Sequence, residues 1–437
     1  MENVRIPRRV LGTLLNSLGA GVVPRTGLEY IAIGRQKEIA AVVSDMENIA
    51  DGMSTFRFFV GKYGSGKSFL IGLVRSNALQ RGFVTADADL SPERRFSGTQ
   101  GQGIATYREL IKNLSVREYP DDGALEGILA GWLGDITASL SARGVSPSDP
   151  GFMDEVKKSV YSVLSGLKGF VDGFEFVRTL ECYMEGYVTG DEALKSDAFK
   201  WLRGEFATRL EARNSLLGIN SVIDDSNWYD HIKLLARYFK LVGYKGFLVF
   251  FDECVNLFKI VNRVSRENNY EKILAMFNDA LQGKADHLGI FMGGTPQFLE
   301  DPRRGLYSYE ALKSRLEGGR FTDGRNDLMG PVIRLERLTD NELFALVQRL
   351  RSLHAAYYGY DPVLTDGQLT VFLEACLKRM GADLMITPRE VTRDFLGVLN
   401  VMYQDPGADF ETLVGMSAAP PSDGGDSEDI EIPEIQI

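Results

Sequence analysis

The sequence predicts an α/β fold, with a parallel sheet covered by helices on both faces, a helical insertion and a C-terminal helical domain. Two patterns lead to it. Short apolar runs rich in aromatic and β-branched residues, such as Phe56–Val60 (FRFFV), Gly246–Phe251 (GFLVFF) and Leu288–Gly294 (LGIFMGG), alternate with stretches of helical periodicity. Strands separated by helices pair in parallel, and continuous rather than alternating hydrophobicity marks strands buried on both faces.

In chain order, Arg8–Leu18 has apolar residues at helical spacing and ends at Gly19, Gly21 and Pro24, giving a lead-in helix within residues 1–27. Tyr30–Arg35 reads as a strand-like approach with a Gly34-Arg35 turn, and Gln36–Ile49 as a helix carrying Glu38. Phe56–Val60 is a buried strand, Ser68–Leu79 a helix, Gly82–Leu90 a strand ending in Asp87 and Asp89, and Tyr107–Leu114 a helix. These make up the first part of the core, residues 28–119. Residues 120–227 read as a helical insertion with turn-rich breaks such as Ser146–Gly151. The alternation resumes over 228–336 with the helix Trp228–Leu241, the strand Gly246–Phe251, the helix Tyr270–Leu281, and the strands Leu288–Gly294 and Pro331–Leu335. Residues 337–405 are helical throughout and read as a lid. Residues 406–437, rich in Pro, Gly, Ser and acid toward their end, read as an acidic disordered tail.

With 437 residues, 44% hydrophobic and 25% charged, the chain has the composition of a globular protein of two or three structural units. No stretch approaches eighteen apolar residues, and no leader pattern opens the chain, so a cytoplasmic protein with no membrane segment is expected. Three scattered cysteines and three scattered histidines lack metal-ligand spacing. The net charge of −11 argues against indiscriminate coating of DNA, while a local basic groove stays compatible with it.

Gly61-Lys62-Tyr63-Gly64-Ser65-Gly66-Lys67-Ser68 matches G-x-x-x-x-G-K-[ST] in full, between a strand and a helix that continues through Phe69. In that context the glycines let backbone N–H groups face phosphate oxygens, and the helix adds the positive end of its dipole. Lys67 is then placed for the β- and γ-phosphates and the Ser68 hydroxyl for Mg²⁺. The run Phe247–Phe251 delivers Asp252 and Glu253 at its C-terminal end, where open α/β sheets place ligands. Asp252 is the candidate second metal ligand. Glu253 is the candidate group that polarises an attacking water. A P-loop NTPase that binds ATP and Mg²⁺ is expected.

Thr295, after Gly293-Gly294, fits the polar position of the additional-strand ATPases, where it orients water or senses the γ-phosphate; an ordinary strand-to-loop threonine is the competing reading. Arg303, Arg304, Arg315 and Arg320 are candidate arginine fingers toward a neighbouring subunit, against the plainer reading of surface ion pairs. Arg389, in Thr387-Pro388-Arg389-Glu390, opens a lid helix from which it could reach back to phosphates. Asp87 and Asp89 are candidates for positioning metal or water, or caps. The pairs Arg8–Arg9 and Arg94–Arg95 are candidate nucleic-acid phosphate contacts or solvated surface. Asp429–Ile437 alternates acids and isoleucines and could add a strand to a partner sheet.

Taken together, Gly34-Arg35 with Glu38, the phosphate loop, Asp252–Glu253, Thr295 and Pro388-Arg389 resemble the AAA+ ATPases, especially the replication-initiator branch. The resemblance implies that Arg35 lies near the adenine and that Thr295 and Arg389 serve as first and second sensors. The 185 positions between Lys67 and Asp252 depart from that pattern. Leu14–Arg35, with Gly21-Val22-Val23-Pro24 and Ala32-Ile33-Gly34-Arg35, together with the phosphate loop, resembles the ATP-binding protein of bacterial BREX phage-defence systems, the BrxD-like group. That implies a component of an anti-phage island, working with other BREX-type proteins on DNA modification or invader exclusion; as an AAA+-type ATPase the chain is expected to be a homo-oligomer acting on a partner or on double-stranded DNA. Three functions are therefore expected in turn: an ATP-hydrolysing component, a nucleotide-gated switch or DNA loader with little turnover, and a scaffold with a vestigial site.

Overall fold

The computed structural model describes residues 6–318, 327–379 and 387–417. Contacts divide the chain between Gly27 and Leu28 and again between Arg337 and Leu338. One unit holds the sheet, and the other joins the N-terminal helix to the C-terminal helices.

In the sheet unit five strands, β1 (Thr55–Val60), β2 (Val84–Asp89), β3 (Phe247–Asp252), β4 (Leu288–Gly294) and β5 (Val332–Arg334), pair in the order β2-β3-β4-β1-β5. All pairings are parallel. The hydrophobicity of the central strands follows from this position. Alternate side chains point to opposite faces, and both faces are covered. Phe59, Leu248, Phe250 and Phe291 pack against the helices Gln36–Ala50 and Lys67–Gln80 through Val42, Met46, Leu70 and Val74. On the other face Phe56, Phe58, Val249, Phe251 and Ile290 join the core of helices Trp228–Leu241 and Arg263–Leu281. Phe56 meets Phe277 edge-on at 5.6 Å between ring centres.

The helices between β2 and β3 belong to this second core. Trp132 and Phe176 pack edge-on against Tyr238 of the helix Trp228–Leu241, and Phe239 of that helix meets Phe247 of β3. They thus extend one face of the sheet. The P-loop helix is also tied to the segment where this excursion starts. The buried Arg75 donates to Ser115 Oγ (2.7 Å) and the Pro120 carbonyl (2.8 Å), and pairs with Asp122 and Asp87.

Residues 28–31 form a 3₁₀ turn rather than a strand-like approach. Leu28 and Ile31, both buried, lie three residues apart and so share one side of the turn, which a strand would not allow. Leu28 fills the space left by Gly72 on the P-loop helix, where a Cβ would lie 2.5 Å from Leu28 Cδ1.

In the other unit, the helix Arg8–Gly19 packs against Asp340–Tyr358 and Pro388–Gln404. The two C-terminal helices begin with reciprocal capping boxes, Thr339 with Glu342 and Thr387 with Glu390. The region expected to be a tail from residue 406 holds one further helix, Phe410–Ser417. Asp409 caps it by accepting from the Thr412 N–H, and the buried Phe410 and Val414 anchor it. No helix among the described residues is long and apolar enough to cross a membrane. Asp429–Ile437 and Arg320 lie outside the described residues.

Candidate functional site

The site is built where β1, β3 and β4 end. Gly61 follows β1 directly, and its N–H donates to the Gly294 carbonyl at the end of β4 (3.1 Å). A Cβ at Gly61 would fall 2.2 Å from Ser65 Oγ and 3.1 Å from the Leu335 carbonyl, so the loop closes this tightly only with glycine. Gly66 precedes the helix Lys67–Gln80 with φ of 87°, a conformation costly for residues with a Cβ. The loop thereby leads straight into the helix N-terminus, the end of a helix that receives an anion.

Ser65 is buried, and its Oγ has no hydrogen-bond partner among the described residues. Lys62 and Tyr63 are exposed, Tyr63 by 75%. Lys67 Nζ donates to the carbonyls of Gly61 (2.9 Å) and Lys62 (3.1 Å). Burial pushes the Lys67 ammonium below the usual lysine range, and the Asp252 and Glu253 carboxylates pull it partly back. Phosphate oxygens entering the loop would add to that pull toward the ammonium form, which makes this lysine an anion receptor.

Ser68, the second residue of the helix, donates its hydroxyl to Asp252 Oδ2 at 2.6 Å, across 184 positions of sequence. The other oxygen, Oδ1, accepts the Glu253 backbone N–H at 2.8 Å. A hydroxyl and a carboxylate side by side are hard oxygen donors of the kind Mg²⁺ takes. Glu253 itself is exposed and has φ of 53°, uncommon for a residue with a side chain. Its turn is held by the Cys254 N–H on the Gly293 carbonyl (3.1 Å) and the Asn256 N–H on its own carbonyl (2.9 Å). Strained backbone beside paired carboxylates is a recurring feature of reactive sites. The Cys254 thiol is pushed far up by burial and then by Asp252, Glu253 and Asp89, which keeps it protonated.

Arg35 is 5% exposed and bound to the protein itself. Its guanidinium donates to the Ser65 carbonyl inside the phosphate loop (2.8 Å), to the Glu336 carbonyl after β5 (2.6 Å) and to Glu38 (3.3 Å). Gly34, at φ of 73°, makes the turn that leads into it. The pair therefore supports the loop from beneath.

β4, the strand that Thr295 follows, lies between β1 and β3. Thr295 Oγ1 accepts the Phe298 N–H (3.2 Å) and caps the helix Pro296–Glu300. Asp87 pairs with Arg75, and Asp89 lies opposite Asp252 in the β2–β3 register. Arg315 is exposed and donates to Asn278 and to the Ala311 carbonyl of its own helix. Arg304 donates to the Ile260 carbonyl, Arg94 to the Asp89 carbonyl, and Arg8 lies over the Tyr357 ring. Arg389 is exposed near Gly21 in the other unit. Two contributors were not singled out from sequence, Arg75 and Gly293. A glycine pair ending an otherwise bulky strand was the available signal for the second.

Residues 6–418 match the family described as BREX system ATP-binding protein BrxC/D, and the chain belongs to that family. No curated protein matches the chain.

Proposed function

We propose that this BREX-family chain hydrolyses ATP with Mg²⁺ as an AAA+-type component of a phage-defence system, coupling the nucleotide cycle to partner proteins or double-stranded DNA. The observation that carries it is the 2.6 Å contact of Ser68 with Asp252, which brings the end of the phosphate loop against an acidic pair whose second member is exposed. The donor set fits the group: a lysine held below its usual range, a serine hydroxyl, a carboxylate, and a loop that a Cβ at Gly61 would obstruct. The sheet order, with one strand between the loop strand and the acidic strand, supports the additional-strand class.

In this reading the loop N–H groups and Lys67 bind the phosphates, while Ser68 and Asp252 would hold Mg²⁺, which would supply charge neutralisation of the phosphates. Glu253 orients a water, and its carboxylate takes the proton as the water oxygen bonds to the γ-phosphorus and the bond to the β-phosphate oxygen breaks. Arg35 keeps the loop in shape. Arg315 and Arg389 are retained as candidates to reach a phosphate across subunits or from the helical unit, and Thr295 as a sensor.

The test is steady-state ATP hydrolysis over a protein concentration series, with and without double-stranded DNA, for wild type, Lys67→Ala and Glu253→Gln. Turnover that rises with concentration or DNA and is lost in both variants supports the proposal. ATP binding without turnover in the wild type would overturn hydrolysis and leave a nucleotide-gated switch.

A further inference from the structure

β4 ends in two glycines whose missing side chains serve different neighbours. A Cβ on Gly294 would lie 2.5 Å from Phe298 Cδ1, an apolar packing contact. A Cβ on Gly293 would lie 2.4 Å from Asp252 Oδ1 and 3.2 Å from its Cγ, with Ile71 Cδ1 also at 3.2 Å. Gly293 is absent from the residues with positive φ, so the backbone conformation does not require glycine there. Only the space does. The same residue's carbonyl accepts the Cys254 N–H at 3.1 Å, which fixes the turn immediately after the acidic pair. Asp252 is thus bounded by Ser68 Oγ on Oδ2, by the Glu253 N–H on Oδ1, and by the bare Cα of Gly293.

We propose that Gly293 is a positioning residue for the Asp252 carboxylate, and that its lack of a side chain sets how readily the site takes Mg²⁺. This rests on the reading of the site as a Mg·ATP centre. A methyl at 293 needs roughly 1 Å more room to reach ordinary van der Waals distance. Ile71 limits retreat on one side, so the neighbour that yields is the Asp252 carboxylate, at the expense of its hydrogen bonds with Ser68 and Glu253. The disturbance therefore falls on the metal site more than on the fold.

The experiment uses the full chain and a fluorescent ATP analogue, titrated in EDTA and across a Mg²⁺ series, for wild type, Gly293→Ala and Gly294→Ala, with thermal unfolding of each. Gly293→Ala is expected to raise the Mg²⁺ concentration at half-effect about tenfold or more, the scale seen when a metal ligand loses its support. Its affinity in EDTA should stay at the wild-type value. Gly294→Ala should lower the unfolding temperature and leave the Mg²⁺ requirement in place. Should Gly293→Ala fold poorly, the substitution is repeated in an Asp252→Ala background, where the methyl has no carboxylate to displace; there it is expected to add no Mg²⁺ shift beyond that of Asp252→Ala, and a further shift overturns the inference. Equal Mg²⁺ shifts in both glycine variants, or a shift in neither, overturn the inference while the nucleotide site stands. Wild-type binding indifferent to Mg²⁺ overturns both.

Discussion

Arg35→Ala tests whether the phosphate loop is held from beneath by a side chain that need touch no phosphate. The substitution removes donors to the Ser65 and Glu336 carbonyls and leaves Glu38, itself 9% exposed, without its ion-pair partner. Breaking a buried pair from one side costs about 3–5 kcal/mol, so the sheet unit should lose about that much stability. Freeing the Ser65 carbonyl also releases the loop that aims the N–H groups. One charge-assisted hydrogen bond is worth about 1.5–3 kcal/mol, which corresponds to an ATP affinity weakened by roughly ten- to a hundredfold. The assay is nucleotide binding by calorimetry alongside urea unfolding, for Arg35→Ala, Glu38→Ala and the double variant, as a cycle. Additive losses would show that the two residues act separately. Wild-type affinity in a folded Arg35→Ala protein would refute the idea that this arginine shapes the loop.

Three further outcomes are expected. At position 253, where φ is 53°, Glu253→Gly should be about 1 kcal/mol more stable than Glu253→Ala, since only glycine takes that backbone without strain; denaturant midpoints of the two decide it. Arg75→Met should cost the sheet unit about 3 kcal/mol by stranding Asp87 and Asp122, read from urea unfolding. Burial holds the His354 ring below the usual histidine range, with the Asn400 hydrogen bond partly offsetting it. The unfolded chain therefore takes up the proton first, so stability is complete above about pH 6.5 and is lost as pH falls through that value. His354→Gln should flatten this acid-side loss in unfolding scans between about pH 8 and pH 5.

The strands and the phosphate loop were legible because their signals are local. A buried strand is continuously apolar, and the loop's glycines, lysine and serine sit within eight positions. What escaped depends on neighbours far apart in sequence. Tyr30–Arg35 looked extended because Tyr30–Ile33 is a short continuous apolar run, while the space that Leu28 of the 3₁₀ turn fills, at Gly72, lies far along the chain. Arg35 was legible as a site residue through resemblance, yet its hold on the Ser65 and Glu336 carbonyls follows only once β5 lies beside β1. Gly293 carried no sign of which neighbour needed its bare Cα.

The long separation of Lys67 from Asp252 is where sequence distance and chemical distance part most clearly. β2 and β3 are adjacent in the sheet and end level, Asp89 opposite Asp252. The helices between them leave from the end of β2 and return through Trp228–Leu241, packing on the helix that covers β3 rather than on the phosphate loop. Closing a longer connection costs entropy only as the logarithm of its length, and the buried tryptophans and aromatics along it extend the core on that face of the sheet. The excursion can therefore vary in size and surface without moving Asp252 relative to Ser68. Arg75 is one place where it touches the nucleotide machinery, because one guanidinium on the P-loop helix binds Ser115, Pro120 and Asp122 at the start of the excursion. A partner that displaces that segment would act on the helix carrying Lys67 and Ser68, so Arg75→Met should alter ATP affinity as well as stability, whereas disruption confined to the far helices should leave affinity intact.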